Sequence, residues 1–396
     1  MTATPSRFDF NPLHSAMQRY VDTNILPGVS SAVLVGRDVV DTHCAGFADI
    51  EQRVALRTDH LFRIFSNTKL VTSIAVLLLF EDGKFELNDP IEQFIPQLGK
   101  RRVLRAGAIS LDDTEPANAS ITIRHLLSHS SGLSYGLLDP GTMIFKAYNE
   151  RKMLHPAKTL AEKMDTLADL PLLFHPGTQW EYSIATDVLS RLVEVVSGQT
   201  FDVFLKSRIF DPLGMADTGF FIPESQRSRL ATIYTGVDLL DPTKPGLIRS
   251  EKIPFPNANL QPVPFLSGGG GLASSLPDMV ALIRGLLPNG ETILKPQTID
   301  LMMRNQLPSG VSIGFPTLGP VPGKGFGLGG AVTLTPSSID PPDSVGEFQW
   351  GGLAGTHWWI SPQHNLAGIV MTQRWFGFWN PFSFDFKRLI YQAVQL

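Results

Sequence analysis

Apolar and polar positions along this chain change their period twice. In NPLHSAMQRYVDTNIL, Leu13, Met17 and Tyr20 recur at helical spacing and share one face. GVSSAVLVGRD and VVDTHCAGFAD then read as two short strands joined by a Gly-Arg-Asp turn. IFSNTKLVTSIAVLLLFEDGK, from Ile64 to Lys84, is a nearly unbroken apolar run; it predicts a helix from Thr68 until Asp82-Gly83 stops it. LNDPIEQFIP is a Pro-bounded connection. From about Ile121 to Met302 the pattern is mostly helical with long loops. SIATDVLSRLVEVVSG, FDVFLKSRIFDPLGM and PDMVALIRGLL carry that periodicity and end in or near Gly or Pro. From Gly325 short β-like runs return: FGLGGAVTLTP, EFQWGGLAG, THWWISP and LAGIVMTQRW. FDFKRLIYQAVQL closes the chain as a helix.

Strands at both ends with helices between them predict an α+β layer architecture, an antiparallel sheet in which the two ends meet, flanked by terminal helices. The expected division is a discontinuous sheet domain, residues 1–95 and 320–396, and a mostly helical domain, residues 96–319. A chain of 396 residues suffices for one large or two intimately packed units. Forty-three per cent apolar and 18% charged residues make a globular composition, and a net charge of −4 lacks the basic footprint of a nucleic-acid binder. The single cysteine, Cys44, can form no internal disulfide; in DTHCAGFAD it reads as a small buried residue. MTATPSRFDFNPLHSAM has no apolar signal-peptide core, and the longest apolar run, Ile74 to Phe80, falls short of the ~20 residues of a membrane span. The expectation is a cytoplasmic protein with no membrane association.

The chemistry begins with a lysine in that apolar run. Lys69 follows Ser66 by three residues, which on a helix puts amine and hydroxyl on one face. A serine is a poor nucleophile until something takes its proton. Burial of the lysine in an apolar helix would disfavour its charged form and make it a base. The helix N-terminus adds partial positive charge beside Ser66. Ser-x-x-Lys also arises by chance about once in a chain of this length and composition, and a helix-cap serine with a snorkelling surface lysine fits the isolated pair. Three further segments add weight. FHPGTQWEYSIATDVLSRLVE puts Tyr182-Ser183 at a helix entry, and ITIRHLLSHSSGLSYG precedes it. FQWGGLAGTHWW carries a Gly-Gly pair where backbone can approach a ligand.

Together with IFDPLGMADTGF and SGGGGLASSLPDM, these motifs resemble the serine β-lactamase and penicillin-binding-protein superfamily, for which S-x-x-K is a signature. More narrowly, the chain resembles the family VIII carboxylesterases, which share the class C β-lactamase fold. The resemblance covers almost the whole chain, in the family's order. It implies that Ser66 is the acyl-accepting nucleophile, Lys69 its base partner and Tyr182 the phenol that shuttles the proton; which of the two takes the first proton is left open. It implies an oxyanion hole from the backbone N–H groups of Ser66 and Leu353. Trp350 begins a W-G-G, with Gly351 and Gly352, where lactamases have Lys-Thr-Gly. Ile184 stands where lactamases carry an asparagine that binds the drug's side chain. A pocket of Trp350, Gly351, Gly352 and Ile184, stripped of those polar partners, favours a neutral apolar ester of a short acyl group or small alcohol. The implied partner is a small-molecule ester, with no metal or cofactor. A β-lactamase-like or D-amino-peptidase-like amidase or an acyltransferase would use the same residues, and an inactive binding module would share the fold.

Other motifs compete. Gly310-x-Ser312-x-Gly314 matches the nucleophile elbow of α/β-hydrolases, with His357 and His364 downstream, but nothing after it starts a helix. GFGLGG, at Gly325, Gly327 and Gly330, matches a dinucleotide fingerprint but runs into the β-like AVTLTP, so a glycine-rich strand end is expected. SGGGGLASS lacks a P-loop lysine and reads as a flexible loop. His125 and His129 have the spacing of a helical zinc pair without its glutamate, so capping and packing are expected. Trp358, Trp359, Trp375, Phe376, Phe378 and Trp379 could line an acyl pocket or be ordinary strand aromatics.

Overall fold

In the computed structural model, the described residues are 8–137, 141–239, 241–250, 259–315, 319–377 and 381–395. Helix α1 (Asn11–Asp22) buries Leu13, Ala16 and Met17. Tyr20 sits at the edge of that face, its phenol donating to Asp385 at 2.6 Å. Strands β1 (Gly28–Val35) and β2 (Asp38–Asp49) form an antiparallel pair, and the short β3 (Val54–Ala55) adds an edge. Helix α2 (Thr68–Glu81) follows a tight turn over Phe65–Asn67 and buries every residue from Thr68 to Leu79. It stops where predicted, with Gly83 at φ 68°. The predicted helix after Tyr182 is α3 (Ala185–Ser197), closed by Gly198 in the left-handed conformation.

The C-terminal runs become β4 (Lys324–Phe326), β5 (Ala331–Thr333), β6 (Phe348–Gly351), β7 (His357–Ser361) and β8 (Leu366–Met371), before helix α4 (Phe382–Ala393). GFGLGG is thus the hairpin between β4 and β5, not the entry to a helix. One sheet runs β4-β5-β6-β7-β8-β1-β2-β3, antiparallel throughout. β1 from the start of the chain pairs with β8 from its end, Ser30 opposite Met371 through Val35 opposite Leu366.

Strand alternation splits the core in two. Val29, Val33, Trp359 and Val370 face α1 and α4, against Phe382, Phe386 and Ile390. Ala32, Leu34, Trp358 and Ile369 face the other way, toward α2 and the helical segments. The two tryptophans are therefore core on opposite faces, and neither lines a cavity at Ser66. Cys44 lies on β2 but is only half-buried, its sulfur 3.2 Å from Ser30 Oγ. FDVFLKSRIFDPLGM is helical but widens into a π turn over Lys206–Phe210 before Gly214 ends it. Each fully buried aliphatic side chain of α2 stabilises the fold by about 1.5–3 kcal/mol. That burial fixes the first turn of α2, whose preceding turn lies against the end of β6. Among the described residues no helix is long and apolar enough to cross a membrane.

Candidate active site

Ser66 lies in the turn that feeds α2, directly after a strained residue. Phe65 before it has φ 43°, a left-handed conformation that costs a non-glycine residue about 1–2 kcal/mol. Its ring packs edge-on against Trp375, with centroids 5.3 Å apart. After Ser66 the chain enters helix, so Lys69 returns to the same face, as its spacing predicts. Tyr182's phenol O–H donates to Ser66 Oγ at 2.7 Å, and Lys69 Nζ is 3.5 Å from the same oxygen. Residues 66, 69 and 182 therefore meet, and the phenol makes the shorter contact.

Lys69 is 1% exposed. Its closest partner is the Gly269 carbonyl at 2.7 Å, and its ammonium stands 4.5 Å from the centroid of the Tyr182 ring. SGGGGLASS, expected as a flexible loop, is instead packed along the first turns of α2. Thr72 Oγ1 donates to the Gly268 carbonyl at 2.9 Å, and Leu272 N–H to Thr68 Oγ1 at 3.2 Å. A Cβ at Gly268 would collide with Ser190 Oγ, so only glycine lets the backbone pass between α2 and α3. Asp187, fully buried on α3, accepts from Ser267 Oγ at 2.7 Å and from Gly269 N–H at 3.2 Å. Burial raises its pKa, with these hydrogen bonds and the Lys69 charge opposing. The sequence reading missed Asp187. Its only local sign was an acidic residue in the first turn of a helix, a common place for one.

Tyr182 is held at both ends of its backbone by His129. Glu181 N–H donates to the His129 carbonyl at 3.0 Å, and Ser183 N–H to His129 Nδ1 at 3.2 Å. His129 is buried at φ 55°, just beyond the short helix Ile123–Leu127. Burial and the Lys69 charge hold its pKa well below the ordinary value, so it is a neutral acceptor. His125 caps that helix, accepting from Thr122 N–H. The two histidines are thus a cap and a clamp with no common helix, and among the described residues no His, Cys, Asp or Glu cluster could hold a metal. Around the Tyr182 ring stand Trp180, Phe315 and Trp350, with centroids 5.4–6.2 Å away.

The expected pocket needs correction at two of its four members. Ile184 is fully buried in the main core; as the residue before α3 it turns inward, away from Tyr182, and lines neither cavity at Ser66. Gly352 is also buried, and a Cβ there would collide with the Ile64 carbonyl and Thr356 Oγ1. The second glycine of W-G-G thus lets the end of β6 close on the turn before Ser66. That approach sets Leu353 beside Ser66, both lining the same two cavities, and the Leu353 N–H takes no acceptor among the described residues. Trp350 and Gly351 do line the larger cavity. Ser312 lies in a loop leading to the short strand Gly314–Phe315, with no nucleophile elbow. Trp375 and Phe376 pack with Phe65, Leu353 and Ala354; Phe378 and Trp379 lie outside the described residues.

A family model described as Beta-lactamase matches residues 13–382. Esterase EstB of Burkholderia gladioli is 30% identical over 358 residues, 87% of this chain and 86% of its own. Lovastatin esterase of Penicillium rubens is 33% identical over 333 residues, 80% of each chain. The solved structure of EstCE1, described as a hydrolase with promiscuous acyltransferase activity, matches with a TM-score of 0.80 at 26% identity, over 95% of this chain and 97% of its own.

Proposed function

This chain belongs to the Beta-lactamase family, and from that premise we propose that it is a serine carboxylesterase working through an acyl-Ser66 intermediate. The observation that carries the reading is the contact of Ser66 Oγ with the Tyr182 phenol at 2.7 Å, with Lys69 Nζ 3.5 Å from the same oxygen. Ser66 Oγ bonds to the ester carbonyl carbon while its proton moves onto the Tyr182–Lys69 pair, which enters the step one proton short, as phenolate beside ammonium or phenol beside amine. The Lys69 ammonium beside the ring stabilises negative charge on the phenol oxygen. The carbonyl oxygen gains charge facing the Ser66 and Leu353 N–H groups. As the carbon–alkoxy bond breaks, the same proton passes to the leaving alkoxide. Water then attacks the acyl-serine, gives its proton to the pair, and the acid departs as Ser66 regains a proton.

Ester rather than lactam or amide follows from the walls. Trp350 and Phe315 present aromatic surface there, and Lys324, which lines the same cavity, is paired with Asp340 at 2.8 Å and so is not a free cation for a carboxylate. An alcohol could replace water in the second half, because the cavity on the Tyr182 side, about 440 Å³, has room for one. Acyl transfer is therefore a second outcome of the same intermediate. The test is a fluorophosphonate label with peptide mapping, joined to turnover of p-nitrophenyl butyrate. The label is expected on Ser66, with turnover abolished in Ser66→Ala and kept in Ser312→Ala. A label on another serine, or turnover surviving Ser66→Ala, rejects the site. Labelling with preferred turnover of amides or lactams moves the assignment to an amidase, and a folded protein that takes no label is a binding module.

A further inference from the structure

Ser66, Leu137 and Leu353 form a ridge between two cavities of unequal size. On one side a groove of about 440 Å³ runs past Tyr182, Trp350 and Phe315. On the other a slot of about 90 Å³ is lined by Phe65, Tyr135, Phe220 and the Gly269–Gly271 backbone, and by Leu154, Pro156 and Phe265. Resting on the esterase reading above, we propose that this slot is the acyl subsite, that it admits acyl groups of about four carbons, and that Lys163 sets this limit by pinning the wall that Leu154, Pro156 and Phe265 form.

Proton transfer decides which side is which. The alkoxide must leave toward the group that returns its proton, and Tyr182 lines the groove but not the slot. The alcohol portion therefore lies in the groove. With the carbonyl oxygen turned to the Ser66 and Leu353 amides, the remaining substituent on the carbonyl carbon points into the slot. A dry cavity of ~150 Å³ takes a benzene ring, six carbons, so the slot's volume suits about four. The groove falls within the roughly 300–1,000 Å³ of ordinary small-molecule pockets. The substrate class is a short-chain acyl ester of a larger, apolar alcohol.

The wall is not simply packed; it is tied. Lys163, on the helix Leu160–Ala168, is 1% exposed. It donates to the Met153 carbonyl at 2.6 Å and the His155 carbonyl at 2.8 Å, and Leu154 lies between those two carbonyls. Its ammonium also stands 4.0 Å from the centroid of the Phe265 ring, whose own N–H donates to the Pro156 carbonyl at 3.3 Å. One buried ammonium thus holds the backbone on either side of Leu154, next to Pro156, and faces the Phe265 ring, so it ties that segment to Phe265. Burying a charge is costly unless it is well partnered. Here its partners are two carbonyls and a ring belonging to that wall. Lys163 acts through the wall and touches no reacting atom, so it is a positioning residue.

The experiment compares kcat/KM for p-nitrophenyl acetate, butyrate, hexanoate and octanoate across wild type, Phe265→Ala and Lys163→Met, with thermal melts to establish folding. Wild type is expected to lose tenfold or more between butyrate and hexanoate. Phe265→Ala should raise the hexanoate-to-butyrate ratio about tenfold, and Lys163→Met about fivefold. A wild type without that break, or a Phe265→Ala profile that keeps it while Phe315→Ala moves it, overturns the assignment of the slot. A folded Lys163→Met that scales every ester by one factor overturns the role of Lys163. Should Lys163→Met not fold, Lys163→Arg, which moves the donor within the same wall, must change the ratio for the proposal to stand. Fluorophosphonate labelling of Ser66 in every variant separates these failures from failure of the esterase reading itself.

Discussion

Lys69 and Lys163 are buried to the same extent, each pairs with main-chain carbonyls, and each stands over an aromatic ring. Only Lys69 has a hydroxyl in reach, Ser66 Oγ at 3.5 Å. Lys163 spends all of its described hydrogen bonds on the 153–155 segment, and burial lowers its pKa to about 8. Lys324 and Lys387, also buried, take the other course and pair with Asp340 and Glu347. A buried ammonium is therefore no sign of catalysis in itself. What separates Lys69 is its address, one turn after a serine whose other neighbour is a phenol.

The strongest way to break that contrast is to remove each amine in turn. Lys69→Met should lower kcat for p-nitrophenyl butyrate by about 10³-fold, and Tyr182→Phe by about 10²–10⁴-fold, with melting temperatures close to wild type. Steady-state kinetics with circular-dichroism melts reads both. A loss under tenfold in a folded Lys69→Met would put the two lysines in one class and remove Lys69 from the chemistry.

A smaller effect should come from the carboxylate behind Lys69. Asp187 touches neither Ser66 nor Tyr182 in any described hydrogen bond; it anchors Ser267 and Gly269, and Gly269 in turn holds Lys69. Asp187→Ala should therefore lower kcat about 10–100-fold and cost about 1–3 kcal/mol of stability through the orphaned buried donors. Asp187→Asn keeps an acceptor oxygen at that place and should recover most of both. If the alanine and asparagine variants lose kcat equally, the charge matters rather than the anchor, and the chain of contacts proposed here is the wrong account.

These residues also mark how far the sequence could be read. Ser66 and Lys69 were legible because three residues on a helix is a local fact, and the apolar run that buries Lys69 is local too. The sheet was legible as β-like runs at both ends, and its closure by β1 and β8 follows from those runs needing partners. Tyr182 and the Leu353 amide came from motif likeness. Asp187 and the Gly268–Gly271 segment were not legible, since their meaning lies in approaches across about eighty and about two hundred residues of chain. Ile184 and Gly352 were misplaced for a related reason. A motif fixes the residue at a position but not the direction it faces, and both face the packing behind the site.

The mildest test sets Asp187 against the carboxyl next to the phenol. Glu181 is half-buried, and its one side-chain partner among the described residues is the Ser134 hydroxyl at 3.4 Å. Burial raises its pKa from 4.5 to about 7, against the weak opposition of that hydrogen bond. The folded protein therefore binds more protons than the unfolded chain between about pH 4.5 and 7, and stability falls as pH rises through that window. Glu181→Gln removes the titration but keeps the backbone N–H that binds the His129 carbonyl. It should raise the melting temperature by about 2 °C at pH 8 and leave it within error at pH 4.5. Burial raises the Asp187 pKa as well, but two hydrogen-bond donors and the Lys69 and Lys163 charges oppose the rise there, against one hydrogen bond at Glu181, so Asp187→Asn should bring a smaller gain at pH 8. A Glu181→Gln variant no more stable than wild type at pH 8 would mean that solvent reaches the carboxylate. In that case the segment behind Tyr182 is looser than the His129 clamp implies.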